Sequence, residues 1–211
     1  MTNLDELKKK HSVYIKNHRK KLTEEEKNTL PVFIRTRDIF QDEYDSHPNY
    51  YSEEALAIVA NCQNAGIPEG TNAFGMTSKS KRNSIGMQLF AVYDSDTKTF
   101  IKTGFRARGC IAMIASASIA ASLLQDKTLE EALNVNSKDI KELVGKVPDD
   151  KTYTFILAEE AIRACVGDVY LRAGLDADTV KNKVHCDDNQ INCITSENCS
   201  LRSQFLNLKF K

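Results

Sequence analysis

From Phe105 to Leu143 the chain reads FRARGCIAMIASASIAASLLQDKTLEEALNVNSKDIKEL. A run of β-formers ends at Gly109, and Cys110 follows it. The next fifteen residues, IAMIASASIAASLLQ, are apolar or small on every face, which predicts a helix buried all round. Its alanines and serines permit close packing against a sheet. Thr128 and Glu131 have the spacing of a capping box at the start of a short helix. Ser137 begins another helix that runs through Val144, again with a favourable cap.

Upstream, Met87, Leu89, Ala91 and Tyr93 alternate with Gln88, Phe90 and Val92, the period of a strand with both faces usable. The turn Asp94-Ser95-Asp96-Thr97-Lys98 follows, and Thr99 to Arg106 reads as the returning strand of a hairpin. Further back, Ser52 caps a helix through about Asn61, and Gly66, Pro68 and Gly70 break the chain into a loop. Downstream, 149–153 reads as a loop. Phe155 to Leu171 is amphipathic, with Leu157, Ala161, Cys165 and Val169 on one face. Gly174 ends that helix, and a polar, irregular tail is expected beyond it. A hairpin followed by several helices argues for an α+β fold, a small antiparallel sheet packed against helices.

The two ends differ from this middle. Leu4, Leu7, His11, Tyr14, Ile15, His18 and Leu22 recur at helical steps through a strongly charged stretch that ends in Glu24, Glu25 and Glu26. Residues 1–50 therefore read as a charged, helical N-terminal extension, either a partner-docking helix or simply a solvated face. Residues 51–173 form the central domain, and 174–211 a polar C-terminal tail containing cysteine and histidine. The 211 residues balance 29 basic against 29 acidic side chains, so no global field recruits nucleic acid or membrane. No apolar run has the length of a membrane span and the N-terminus lacks the apolar core of a secretory signal, so a cytoplasmic protein is expected. The six cysteines are too sparse for a disulfide scaffold, and thiols or metal ligands are the expected state.

Cys110 is the leading candidate for chemistry. At the mouth of a helix its sulfur lies near backbone amides whose partial positive charge favours thiolate. Arg106 and Arg108 would add to this if they faced the same way. A buried structural cysteine is the alternative. Cys165, on the apolar face of the last long helix, reads as core.

The ordered pattern from residue 51 to 173 resembles the NifU N-terminal domain family, also called the IscU type. The residues that carry the resemblance are Phe105, Gly109-Cys110, Ile114-Ala115-Ser116-Ala117-Ser118, Lys127-Thr128-Leu129-Glu130-Glu131-Ala132-Leu133 and Asn136-Ser137-Lys138-Asp139-Ile140-Lys141-Glu142-Leu143. Leu157-Ala158-Glu159-Glu160-Ala161-Ile162 and, upstream, Tyr51-Ser52 and Asn61-Cys62-Gln63-Asn64-Ala65-Gly66 complete it. The resemblance implies a NifU/IscU-like fold and a scaffold on which iron and desulfurase-derived sulfur are assembled into a [2Fe–2S] cluster and passed on. Implied partners are a cysteine desulfurase and cluster-accepting proteins.

In that family three cysteines, an aspartate and a histidine serve the cluster. Cys110 stands at the second cysteine. The first should fall within Lys81-Arg82-Asn83-Ser84-Ile85 and the third near Tyr153-Thr154, and neither place holds a thiol. Cys62 on its loop is one candidate replacement ligand. The tail tract His185, Cys186, Cys193 and Cys199 is another, of metal-ligand type but with spacings that match no standard zinc or ferredoxin pattern. That tract could bind zinc or iron by itself, supply the missing ligands, or remain loosely packed. A homodimer sharing a cluster between two copies of Cys110 is the third possibility.

Three functions stay open on these residues: a divergent scaffold using Cys110 with non-standard ligands, a degenerate module kept for protein interaction, and a single-thiol sulfur acceptor. All four histidines lie outside the matched core, so no Cys–His dyad forms within it and an enzyme is not expected.

Overall fold

The β-prone runs either side of Asp94 pair as expected. The computed structural model describes residues 37–41, 50–62, 64–76 and 86–184. The charged helix expected before residue 36, the 81–85 segment and the His185–Cys199 tract lie outside the described residues. Strands β1 (Ile39–Gln41), β2 (Ala73–Met76), β3 (Met87–Asp94) and β4 (Thr99–Gly109) form one sheet in the order β1-β4-β3-β2. β3 runs antiparallel to both of its neighbours, β2 and β4, while β1 joins β4 in parallel. The expected hairpin is thus the centre of a wider sheet. The flanking strands β1 and β2, three and four residues long, are too short to show a period in the sequence.

The helices are α1 (Glu53–Ala60), α2 (Ile111–Leu124), α3 (Leu129–Leu133), α4 (Ser137–Val144), α5 (Tyr153–Arg172) and α6 (Ala177–Lys183). The local start signals are realised. Ser52 Oγ accepts from Ala55 N, and the Thr128–Glu131 capping box is complete. α4 begins at Ser137 as expected, and its favourable cap is Asn136, with Asp139 closing a second capping box. Where an irregular tail was expected after Gly174, Asp176 caps α6 and Val180 and Val184 are buried, so the ordered core extends to residue 184.

α2 and α5 cover one face of the sheet, α2 mainly over β4 and α5 over β2 and β3. Met87, Leu89, Ala91, Phe105 and Ala107 point into this layer and are buried. Twelve of the fourteen residues of α2 are buried, because α1, α4 and α5 pack around the sides that the sheet leaves open. Burying a Leu, Ile or Phe side chain stabilises by about 1.5–3 kcal/mol, so this shared layer dominates the fold. At Gly75 the backbone of α5 sits directly on β2. A Cβ there would collide with the Ala161 carbonyl and lie 2.6 Å from Cys165 N, which only glycine avoids.

The sheet's edges are closed by pieces that are not strands. Along β4, Phe105 N donates to Asn64 O (3.0 Å), Gly66 N to Phe105 O (2.7 Å) and Phe100 N to Lys127 O (2.9 Å). On the other edge the Phe74 amide donates to Asp168 Oδ2 of α5 at 2.9 Å. Backbone groups that would otherwise invite another chain are thereby occupied.

Candidate functional site

The strand-to-helix junction places Cys110. Gly109 ends β4 with φ +147, a conformation side chains rarely adopt, and this turns the chain out of the sheet. Cys110 is then the N-cap of α2 in extended conformation, its carbonyl accepting from Ile114 N at 3.2 Å. Its side chain makes no capping bond, and the residue is 1 % exposed. The sulfur therefore stands at the positive end of a fourteen-residue helix, where negative charge is favoured.

The two arginines do not assist it. Arg106 and Arg108 alternate with Phe105 and Ala107, so they share the sheet face away from α2. Arg106 Nε donates to Asp38 Oδ1 at 2.6 Å, and its guanidinium lies 6.0 Å from the Phe90 ring centroid. Its charge serves an ion pair that holds the segment before β1 to the sheet, while Arg108 is exposed on the same face.

Cys62 follows the last turn of α1 and is half-buried. Its thiol donates toward Ile58 O (3.3 Å) and Val59 O (3.2 Å), carbonyls of the last turn of that helix. Burial pushes the thiol up to about 12. A metal ligand must be thiolate, so at neutral pH this group holds a proton and is used as a C-terminal cap. Cys165 is buried between α5 and β2, and burial raises its thiol well above the ordinary range, with the nearby Asp168 carboxylate adding to the shift. It is core, as its place on the apolar face predicts. The three described cysteines are in no disulfide.

At the position where the resemblance places a third cysteine, α5 begins with Tyr153 and Thr154. Tyr153 is 44 % exposed and Thr154 fully buried. Thr154 Oγ1 donates to Lys151 O at 2.9 Å and accepts from Ser116 Oγ of α2 at 3.2 Å. A hydroxyl there closes the first turn of α5 and ties it to α2. Among the described residues no three His, Cys, Asp or Glu side chains gather as a metal site. Among the described residues, Cys110 is the one cysteine at this strand-to-helix junction.

Two polar residues matter more to the site's frame than the sequence alone indicated. Asn64 donates through Nδ2 to Ser118 O (3.0 Å) and Ser122 Oγ (3.1 Å), and its Oδ1 accepts from Ser118 Oγ (3.0 Å). The loop after Cys62 is thus sewn to α2, two turns from Cys110. The serines of the Ala-Ser run carried that signal, since two of them face a loop asparagine rather than a helix. Asp168, 1 % exposed on α5, accepts from Phe74 N and from Arg172 Nε (2.8 Å), while its Oδ1 has no hydrogen-bond partner. Burial pushes its carboxyl above the usual carboxylate range against the opposing pull of Arg172.

Residues 50–174 match the family model described as the NifU-like N-terminal domain. Over 136 residues the chain is 29% identical to the nitrogen fixation protein NifU of Azotobacter chroococcum, covering 64% of this chain and 43% of that protein. It is 28% identical over 125 residues to iron–sulfur cluster assembly scaffold protein IscU 1 of Archaeoglobus fulgidus, covering 59% of this chain and 79% of the relative. For the IscU scaffold of Aquifex aeolicus the identity is 26% over 125 residues, with 59% and 78% covered. The chain spans less than half the length of the NifU relatives it matches, 43% and 40% in two of them.

Proposed function

The chain belongs to the family of NifU-like N-terminal domains, and on that footing we propose that it is an iron–sulfur cluster assembly scaffold anchored on Cys110. The cluster, a [2Fe–2S] unit or an iron precursor of it, is cargo that the chain holds and hands on. The observation that carries this reading is the buried sulfur of Cys110 at the N-terminus of α2, where a soft anionic ligand is electrostatically favoured. The names of two relatives support the same reading: both are iron–sulfur cluster assembly scaffold proteins.

One thiolate does not hold a cluster, so further ligands are part of the proposal. The tail tract His185, Cys186, Cys193 and Cys199 supplies the right donor types, as does a second copy of Cys110 in a homodimer. The same tract holding zinc by itself is a separate possibility. Cys62 would first have to give up its proton and both carbonyl contacts, which ranks it last. Sulfur would come from a cysteine desulfurase and the finished cluster would go to acceptor proteins. Neither nucleic acid nor a membrane enters this account: the formal charge is balanced, and no helix among the described residues is long and apolar enough to cross a membrane. A cytoplasmic setting fits thiols that remain reduced.

Anaerobic reconstitution with ferrous iron and sulfide tests the proposal. Visible charge-transfer absorption should develop on the full chain and be lost in Cys110→Ala; no absorption, or none lost, refutes it. A second reading is favoured by the bonding of Thr154, whose hydroxyl is committed to structure where a third thiol is expected. On that reading the chain is a partner-binding module, or a single-thiol sulfur acceptor at Cys110. The acceptor form predicts added sulfur on Cys110 by mass spectrometry after incubation with a desulfurase and cysteine. The partner-binding form predicts that Cys110→Ala still binds the desulfurase.

A further inference from the structure

α4, the turn 145–149 and the first residues of α5 line a groove of about 550 Å³. Its floor is apolar, made by Val147 and Phe155, both nearly buried. Lys138 and Lys141, one turn apart on α4, and Lys146 on the turn stand around it and are all exposed. None of these three ammoniums has an ion-pair partner among the described residues. Against them stand Glu142 and Asp149, so the lining keeps a net positive charge. Next to it on α5, Tyr153 and Ile156 expose 44 % and 50 % of their surface.

Unpaired lysines around an apolar floor define the chemistry of an occupant. A small inorganic anion would meet the charges but leave the floor wet, and a purely apolar segment would leave the charges unmatched. We propose that this groove docks an acidic peptide segment of a partner protein, with carboxylates against Lys138, Lys141 and Lys146 and an apolar side chain over Val147 and Phe155. Rim charges of this kind steer association and set specificity, and they weaken as salt screens them. Cys110 lines no part of the groove.

Fluorescence anisotropy of the full chain with a labelled octapeptide of alternating glutamate and leucine provides the test. Binding is expected at low salt, weakening at least about tenfold when ionic strength is raised from about 0.1 M to 1 M, over which the screening length shrinks from about 10 Å to 3 Å. It should weaken at least about tenfold in Lys138→Glu/Lys141→Glu/Lys146→Glu, with unchanged circular dichroism, and less in the corresponding Gln variant. Amide shifts should concentrate in residues 138–156. Absence of binding, equal binding by octaglutamate or a lysine–leucine peptide, or shifts elsewhere would overturn the proposal. Tenfold tighter binding after deletion of residues 1–36 would assign the groove to this chain's own N-terminal segment and overturn the partner reading.

Discussion

Two helix starts, that of α2 and that of α5, lie in the same packed layer and differ in how they are closed. At α2 the cap residue Cys110 makes no side-chain capping bond. In the first turn of α5 a buried hydroxyl is fully used: Thr154 Oγ1 is bonded both to Lys151 O and to Ser116 Oγ. The layer between them is held by buried aliphatic and aromatic side chains that are indifferent to the difference. Packing therefore preserves a family fold while the place where the resemblance expects a third cysteine carries a structural hydrogen bond. Fold membership and ligand inventory are separate properties of this chain, because they rest on different atoms.

The largest expected effect removes what both ends share. Gly75→Val drives a branched side chain into the α5 backbone, and because backbone cannot move like a side-chain tip the cost should reach about 3 kcal/mol or more. Chemical denaturation measures it, and a loss below about 1 kcal/mol would mean that β2 and α5 separate readily. Next is Thr154→Val, which keeps the shape but removes the hydroxyl that Ser116 Oγ and Lys151 O bond to. It should cost about 1–3 kcal/mol, whereas Cys110→Ser should change stability less. The converse double change, Tyr153→His with Thr154→Cys, gives the second end donor chemistry. It should raise iron and sulfide retained after reconstitution above wild type; unchanged retention would separate the α5 start from any ligand role.

A smaller, pH-dependent effect belongs to Asp168 at the far end of α5. Its folded carboxyl is shifted upward by burial, so the unfolded chain ionises first as pH rises. The stability this group contributes is complete below the ordinary carboxylate value of about 3.9 and is lost as pH climbs through the raised folded value. Asp168→Asn, which can still accept from Phe74 N, should flatten that part of the stability–pH curve in urea titrations. An unchanged slope would place the titration elsewhere. Smallest is the effect at Cys62: with its thiol pushed up to about 12, iodoacetamide should modify it far more slowly in the folded chain than in the urea-unfolded chain at pH 8. Equal rates, resolved by peptide mass mapping, would show that its cap contacts open readily.

Much of this frame was legible in the sequence. The buried α2 showed as a run without a polar face, α3 as a Thr–Glu pair three apart, and the β3–β4 hairpin as alternation around an aspartate-rich turn. The short strands β1 and β2 were not legible, because three or four residues cannot display a period and their placement depends on partners far along the chain. α6 was missed because its seven residues are mostly polar, with one buried valine, Val180, in their midst. For the site, the position of Cys110 followed from the β-to-helix switch. The fate of Arg106 did not, since Asp38 lies 68 residues away in sequence. The cap formed by Cys62 is local, yet a cysteine just past a helix reads equally as a loop ligand until its hydrogen bonds are seen.

The central claim is that Cys110 anchors an iron–sulfur cargo. Its most direct test is the iron and acid-labile sulfide content of the full chain purified without oxygen, measured side by side with Cys110→Ala. Iron and sulfide should co-purify with the wild-type chain in comparable amounts and fall to background in the variant. Equal content in both proteins, or none in the wild type even after reconstitution, would contradict the claim.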